Sequence, residues 1–274
     1  MIKWFAFLPV GLVSLWFFLM LAFSIRIAEG FHARISDLQW ILNAYTITMV
    51  VLLVLAGRIG DMVRRDRYFV FGMGIFVFGS FLCAQSWNVG SLIVFRILQA
   101  VGGAILSGNT LAIVTELFPP GKRGTVMGLN AILVASSFAL GPIIGGWLTT
   151  HLSWHWVFYI NIPVGIFSMI LSTLLLPPLG AKERVQMDIA GTILLAIGLG
   201  SLTLGIIEGQ NWGWRSQKTL ACFAISIPYL MTFAVRELRC EHPLLDLSLF
   251  RIRNFLVCVL SMSIIFLGVS ADFL

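Results

Sequence analysis

Residues 126–149 read VMGLNAILVASSFALGPIIGGWLT, twenty-four residues without one charged side chain. About 20 apolar residues of helix cross the hydrocarbon core of a bilayer, so this run predicts a membrane span. Over the whole chain 59% of residues are hydrophobic, 11% are charged and the mean hydropathy is +0.96. Soluble domains carry about 25% charged residues. We therefore expect lipid to surround most of the protein's surface.

Eight further apolar runs of similar length bring the number of predicted spans to nine. Their lack of polar alternation excludes an outer-membrane barrel, and their length excludes soluble strands. The sequence predicts an all-α integral membrane protein. The predicted spans are Phe5–Ile25, Ile41–Gly57, Tyr68–Gln85, Ser91–Val114, Val126–Thr149, Trp156–Leu176, Ile189–Ile207, Thr219–Ala234 and Phe255–Leu274.

Lysine and arginine are distributed unevenly between the two sides that these spans imply. If the N-terminus is cytoplasmic, thirteen of them lie on the cytoplasmic side and four lie outside. This positive-inside bias predicts a multi-pass protein of the plasma membrane with a cytoplasmic N-terminus. The short basic clusters thus explain the net charge of +6 without a nucleic-acid partner. Six tryptophans fall at the outer boundary, as an interfacial belt would: Trp40, Trp87, Trp154, Trp156, Trp212 and Trp214.

No arrangement of residues predicts an enzyme. The four histidines show no ligand spacing, and the cysteines form no metal motif. We expect no catalytic site, no metal and no cofactor, and we interpret the cysteines as small apolar packing residues. The cysteines are Cys83, Cys222, Cys240 and Cys258.

The segment GRIGDMVRRDR, residues 57–67, joins the second and third predicted spans. A basic loop of this kind is often only a topology signal, since cations bind the anionic inner leaflet. Its pattern nevertheless resembles the loop motif G-x-L-a-D-r-x-G-r-[RK] of major facilitator transporters, whose charges set the balance between inward- and outward-facing states. Gly57, Asp61 and Arg65 fit the motif, whereas Arg64 replaces its second glycine. Asp66 replaces the usual cation, so the fit is imperfect.

The fourth predicted span contains Arg96 in the string RILQAVGGA. A guanidinium in hydrocarbon costs at least about 2.5–3.5 kcal/mol, which indicates function. Arg96 also lies near the outer end of the span, where snorkelling is an alternative. The string resembles the fourth-helix motif R-x-x-Q-[GA]-x-G-G-A of the same superfamily, which implies a role for Arg96 and Gln99 in proton coupling or the cavity. Small residues form a ridge for close helix packing on one face: Ala100, Ala104 and Gly108.

The fifth predicted span carries small residues four apart, which predicts a packing seam. Such seams are common in membrane helices. The string G-P-x-x-G-G at residues 141–146 is rarer and resembles the antiporter motif of drug:proton exchangers, with Ser137 where a glycine is usual. We expect Pro142 to bend the helix. The resemblance assigns antiporter and packing roles to Ser137, Gly141, Pro142, Gly145 and Gly146.

Shorter segments narrow the resemblance to the fourteen-helix drug:proton antiporter branch of the EmrB/QacA type. They are SDLQW (36–40), WHWVFYINIP (154–163), EGQNWGW (208–214) and PLLD (243–246). Only residues 177–188 separate the sixth and seventh spans, where a twelve-helix member would have a long polar loop. This spacing independently favours two helices inserted between the halves.

Two departures from the branch matter. The first predicted span reads LVSLWFFLMLA at residues 12–22 and lacks the acidic motif L-D-x-T-[IV]-V-N-V-A-L-P, which puts proton coupling through that helix in doubt. The chain also ends at Leu274, near the end of its ninth span. Five helices of the branch are absent, so we expect a C-terminally truncated chain.

The resemblance implies the first six-helix half of a major facilitator fold (1–176), an accessory two-helix insert with cytoplasmic loops (177–252) and the start of a second half (253–274). It implies efflux of amphipathic, cationic or neutral organic compounds, with the proton gradient as energy source. The expected partners are the lipid bilayer, an organic substrate and the missing C-terminal helices. The gating loop would comprise Gly57, Asp61, Arg64 and Arg65. The alternative is a truncated, non-transporting fragment or one part of a split transporter.

We predict that the segment 58–67 and the turn Trp212–Trp214 lie on opposite sides of the membrane, because basic residues concentrate on one side only. Single cysteines introduced into each segment, on a background without the native cysteines, should label from opposite sides with an impermeant maleimide. Equal labelling of both segments from outside would refute this topology.

Overall fold

The computed structural model describes residues 35–180, 188–240, 244 and 247–271. These residues are almost entirely helical, and among them we find no strand, only an isolated antiparallel bridge between Arg64 and Gly180. The α-helices are α1 (Ile35–Met62), α2 (Arg65–Ala84), α3 (Val89–Leu117), α4 (Pro120–His151), α5 (Trp156–Tyr159), α6 (Asn161–Leu175), α7 (Ile189–Trp212), α8 (Gln217–Glu237) and α9 (Arg253–Ala271), and a 3-10 helix covers Leu247–Arg251.

Seven helical segments of the described chain are long and apolar enough to cross a membrane, with α5 and α6 counted as one. They coincide with the second to eighth predicted spans. The ninth, Phe255–Leu274, falls on α9 as far as Ala271, and the first, Phe5–Ile25, lies outside the described residues. Large apolar side chains such as Phe71 and Leu174 are 60% and 74% exposed, as a lipid-facing surface requires. The protein is a multi-pass, all-α membrane protein.

The connection between α1 and α2 is much shorter than predicted. α1 continues to Met62 and α2 begins at Arg65, so only Val63 and Arg64 separate them. The prediction of a loop over residues 58–67 was wrong, because it ended the helices where the apolar run ends. The helix continues through the charged residues Arg58 and Asp61 to Met62, and no proline interrupts it here. The motif residues therefore stand on two helix ends.

Prolines have different effects in different spans. The predicted single span Trp156–Leu176 is divided at Ile160 into α5 and α6. Pro163 has no N–H for the carbonyl of Tyr159, which explains the break at this turn. α4 remains helical through Pro142.

Helices α1 and α3 approach each other closely through glycine. A Cβ atom on Gly108 would lie 2.9 Å from the Leu53 carbonyl oxygen and 3.0 Å from the Gly57 nitrogen. Ala100 and Ala104, on the same face of α3, are fully buried. The ridge of small residues predicted on this helix is thus confirmed as a packing surface, and it meets α1 at Gly108.

Helices α7 and α8 pack on each other, and α7 also packs on α1. Ser226 Oγ donates to the Gly198 carbonyl, 2.9 Å away, and so joins α8 to α7. On the other side of α7, the carboxylate of Glu208 is almost completely buried. It accepts hydrogen bonds from Asn43 Nδ2 on α1 at 3.3 Å and from Asn211 Nδ2 at 3.1 Å. This amide–carboxylate cluster attaches α7, and with it α8, to α1.

We predict that Glu208→Ala lowers the unfolding temperature of the purified protein. The substitution leaves the half-buried Asn43 amide without this acceptor, at a cost of about 1–3 kcal/mol, whereas the exposed Asn211 amide keeps its bond to Gln39. Gln210→Ala, at an exposed position two residues along α7, is the matched control and should leave the temperature unchanged. Equal unfolding temperatures for both variants and the wild type would show that the cluster does not hold α7.

Candidate functional site

Arg96 lies inside the helix bundle with 1% of its surface exposed. Its Nε donates to the carbonyl oxygen of Ile41 on α1 at 3.1 Å. One terminal nitrogen donates to Gln99 Oε1, one turn further along α3, also at 3.1 Å. The guanidinium carbon stands 4.6 Å from the ring centroid of Tyr45, within cation–π range. The side chain is therefore held between α1 and α3, and it does not snorkel to the surface.

A second hydrogen bond extends this cluster to α2. Gln99 accepts from Arg96 through Oε1 and donates through Nε2 to Ser80 Oγ at 2.7 Å. Ser80 in turn donates to the carbonyl of Phe76 at 2.8 Å. Gln99 and Ser80 are both fully buried. A continuous polar chain thus connects three helices inside an otherwise apolar bundle, which is the setting where buried polar groups most often serve function.

Glycines bring α2 and α3 close enough for these bonds. A Cβ atom on Gly79 would lie 2.7 Å from Gln99 Cα and 2.9 Å from its nitrogen. On the facing helix, a Cβ on Gly102 would lie 2.5 Å from the Phe76 nitrogen and 2.7 Å from the Gly72 oxygen. Only glycine permits such backbone contact. The sequence interpretation did not include this contact, although Gly72 and Gly79 stand seven residues apart on one face of α2.

At the far end of α1, the predicted gating residues form a charged junction. Arg65, at the start of α2, pairs with Asp61 at the end of α1 and with Glu116 at the end of α3. Gly57 packs one turn earlier against the carbonyl of Gly108, at 3.5 Å from an added Cβ. The junction ties three helix ends by charge. The sequence alone did not identify Glu116 as part of this junction. The available signal was its position at the end of a span that is followed by basic residues.

Arg64 and Asp66, the two residues that depart from the family pattern, contact each other. Arg64 donates to Asp66 at 2.7 Å. Asp66 Oδ1 also accepts from the backbone N–H of Leu179 at 3.1 Å, and the Arg65 N–H donates to the Leu179 carbonyl at 3.0 Å. Gly180 follows in a left-handed conformation with φ of 81°. The segment after α6 is thereby attached to the junction.

The antiporter-motif residues lie on α4. Ser137, Gly141 and Gly145 are buried, and Ser137 Oγ donates to the Leu133 carbonyl at 2.7 Å. Gly146 is in a different setting, because a Cβ there would meet nothing within 4 Å. Close backbone packing at Gly141 and Gly145 stays a prediction.

Within the described ranges, no three His, Cys, Asp or Glu side chains cluster in a way that could hold a metal ion. The four cysteines are free thiols, and Cys83 is the buried one. Cys83 lies beside the polar chain, with its sulfur 3.8 Å from Gln99 Oε1.

Residues 6–273 match the family described as Major Facilitator Superfamily. The chain belongs to the major facilitator superfamily. It is 34% identical over 226 residues to the tetracenomycin C resistance and export protein of Streptomyces glaucescens, which covers 82% of this chain and 42% of that protein. It is 36% identical over 232 residues to the riboflavin transporter RibZ of Clostridioides difficile, covering 84% of this chain and 50% of that protein.

A third relative is the multidrug transporter protein MdtP of Bacillus subtilis, 32% identical over 222 residues, 81% of this chain and 41% of that protein. The chain thus spans about half the length of the relatives that it matches. Among solved structures, a peptide transporter POT in complex with sulfate shares the fold with a TM-score of 0.58 at 15% identity, over 86% of this chain and 53% of that chain. The resemblance stated from the motifs is confirmed for the superfamily and for the fold.

We predict that Gly79→Ala weakens the α2–α3 contact beneath Gln99. The added methyl group would overlap the Gln99 backbone, and overpacking costs about 1–3 kcal/mol. Gly74→Ala on the same helix is the matched control, because its added methyl meets nothing within 4 Å. Thermal unfolding should show a lower midpoint for Gly79→Ala and an equal or higher one for Gly74→Ala. A midpoint that rises in both variants would contradict the contact.

Proposed function

We propose that this chain supplies the first half and accessory helices of an exporter that exchanges protons for amphipathic, cationic or neutral organic compounds. The observation that carries the proposal is the Arg96–Gln99–Ser80 chain inside an apolar bundle. Polar groups at this depth are costly and mark substrate or ion pathways in membrane proteins. An arginine in this motif position is implicated in proton coupling in the superfamily.

The named relatives support export of organic compounds. Two bear antibiotics in their names, as the tetracenomycin C resistance and export protein and the methylenomycin A resistance protein of Streptomyces coelicolor. A third is named a multidrug transporter. Another is named for riboflavin. We favour drug-like substrates because the G-P-x-x-G-G string on α4 resembles the antiporter motif of drug:proton exchangers.

Each candidate residue takes a role that its surroundings suit. Arg96 and Gln99 would lie at the coupling site or cavity, where their hydrogen bonds can exchange with a substrate or a proton carrier. Asp61 and Arg65, with Glu116, would form a gate, since ion pairs at three helix ends can separate as the halves rock. Ser137, Gly141, Pro142, Gly145 and Gly146 would form the moving seam.

A complete transporter of this kind places its substrate between two halves. We propose that C-terminal helices complete this chain, and that the pair α7–α8 is the accessory insert of the fourteen-helix branch. The plasma membrane and a cytoplasmic N-terminus follow from the basic-residue asymmetry. The rival function is that of a truncated, non-transporting fragment or one part of a split transporter.

The test begins with the gene beyond codon 274. If it encodes further spans, these are co-expressed with the chain, and efflux of a cationic dye from vesicles is measured with and without a proton gradient. We expect no efflux from the chain alone and gradient-dependent efflux from the pair. Arg96→Gln should abolish it, whereas Arg215→Gln, in the exposed α7–α8 turn, should not.

Gradient-dependent efflux from the 274-residue chain alone would contradict the need for a second half. Efflux that is unchanged by Arg96→Gln would remove Arg96 from the mechanism. If no further spans are encoded and vesicles holding the chain alone do not transport the dye, the non-transporting fragment is the correct function.

A further inference from the structure

Helices α7 and α8 enclose a groove of about 350 Å³ near the start of α7 and the end of α8. Two arginines and a cysteine of its lining lie at and just after the end of α8, so the polar groups of the groove are separated from its apolar groups. The lining residues are Leu194, Thr232, Val235, Arg236, Arg239 and Cys240.

The groove opens at the basic end of the protein. The end of α7 contacts the start of α1 through Glu208 and Asn43, and a Cβ on Gly200 would lie 3.3 Å from Val51 in the middle of α1. The two helices are therefore antiparallel. The start of α7, and with it the groove, lies at the same end as the charged junction of Asp61 and Arg65.

The two arginines of the groove differ in what they contact. Arg236 donates from two nitrogens to the Asp188 carboxylate, at 2.8 and 2.9 Å. This bidentate bond holds the pKa of the Asp188 carboxyl below its ordinary value, so the ion pair persists at neutral pH. The side chain of Arg239 is exposed and makes neither a hydrogen bond nor an ion pair with the part of the chain that the structure describes. Its guanidinium is available to an anion.

The walls of the groove suit hydrocarbon. Val235 and Met231, both on α8, are 50% and 65% exposed, and Leu238, directly after the helix, is 69% exposed. Because α8 is long and apolar enough to cross a membrane, we expect lipid against these side chains. A lipid whose acyl chain lies along Val235 and Leu194 would have its headgroup at the level of Arg239.

We propose that this groove binds an anionic phospholipid, with the phosphate on Arg239 and one acyl chain on Leu194 and Val235. The fixed Arg236–Asp188 pair is locally neutral, so Arg239 supplies the positive charge that binds an anionic headgroup. A soluble phosphate would use only the charge and would leave the apolar wall unoccupied. The site uses none of the residues assigned to transport above, since Asp61, Arg65 and Arg96 lie on α1, α2 and α3.

Cys240 provides a readout inside the groove. In a variant that retains only this cysteine (Cys83, Cys222 and Cys258 replaced by serine), its maleimide labelling rate is measured in nanodiscs. The nanodiscs contain phosphatidylcholine alone or mixed equally with phosphatidylglycerol. We expect phosphatidylglycerol to slow labelling about fivefold, corresponding to one arginine–phosphate contact near the membrane surface. Equal rates in the two lipids would overturn the proposal.

The variant Arg239→Gln should lose this protection, whereas Arg251→Gln, with the same charge change at an exposed position of the 3-10 helix, should keep it. Both variants must elute as a single species, and native mass spectrometry should show one phosphatidylglycerol fewer retained by Arg239→Gln. Protection that survives Arg239→Gln, or is lost equally in both variants, would assign the effect to general surface charge. Protection by free glycerol phosphate in phosphatidylcholine nanodiscs would assign the site to a soluble anion and refute the lipid.

Discussion

The guanidinium of Arg96 has to be hydrogen-bonded within the helix bundle, because lipid offers it no acceptors. Its bonds to the Ile41 carbonyl and to Gln99 fix α1 against α3, and the bond from Gln99 to Ser80 fixes α2 against both. Such bonds form only if the helices approach within backbone distance. The close α2–α3 contacts at glycine are therefore needed both for apolar packing and for the hydrogen bonds of the buried arginine.

Polar contacts elsewhere extend this three-helix unit in two directions. At one end, Arg65 joins the ends of α1, α2 and α3 by charge, in a place where water can compete for the ions. Near the other end, the buried Glu208 receives amide hydrogen bonds that attach α7 to α1. The three-helix unit thus carries a partly exposed ionic junction at one end and a buried amide–carboxylate cluster near the other.

The sequence predicted the spans and the superfamily because both depend on local patterns, namely apolar length and short motifs. It also predicted an inward Arg96 near Gln99, since their spacing places them one turn apart on one helix. It did not identify Ser80, Glu116 or Glu208, whose partners are 19, 51 and 165 residues away in the chain. Such pairings depend on helix arrangement, which periodicity alone does not specify.

The central claim is that Arg96 and Gln99 interact inside the bundle. A double-mutant cycle of Arg96→Met and Gln99→Leu, measured as the free energy of unfolding in detergent, tests it most directly. We predict that the double variant loses less stability than the sum of the single variants, with a coupling of about 0.5–3 kcal/mol. Additive losses would contradict the claim, because they would mean that the two side chains are independent and that Arg96 finds its partners elsewhere.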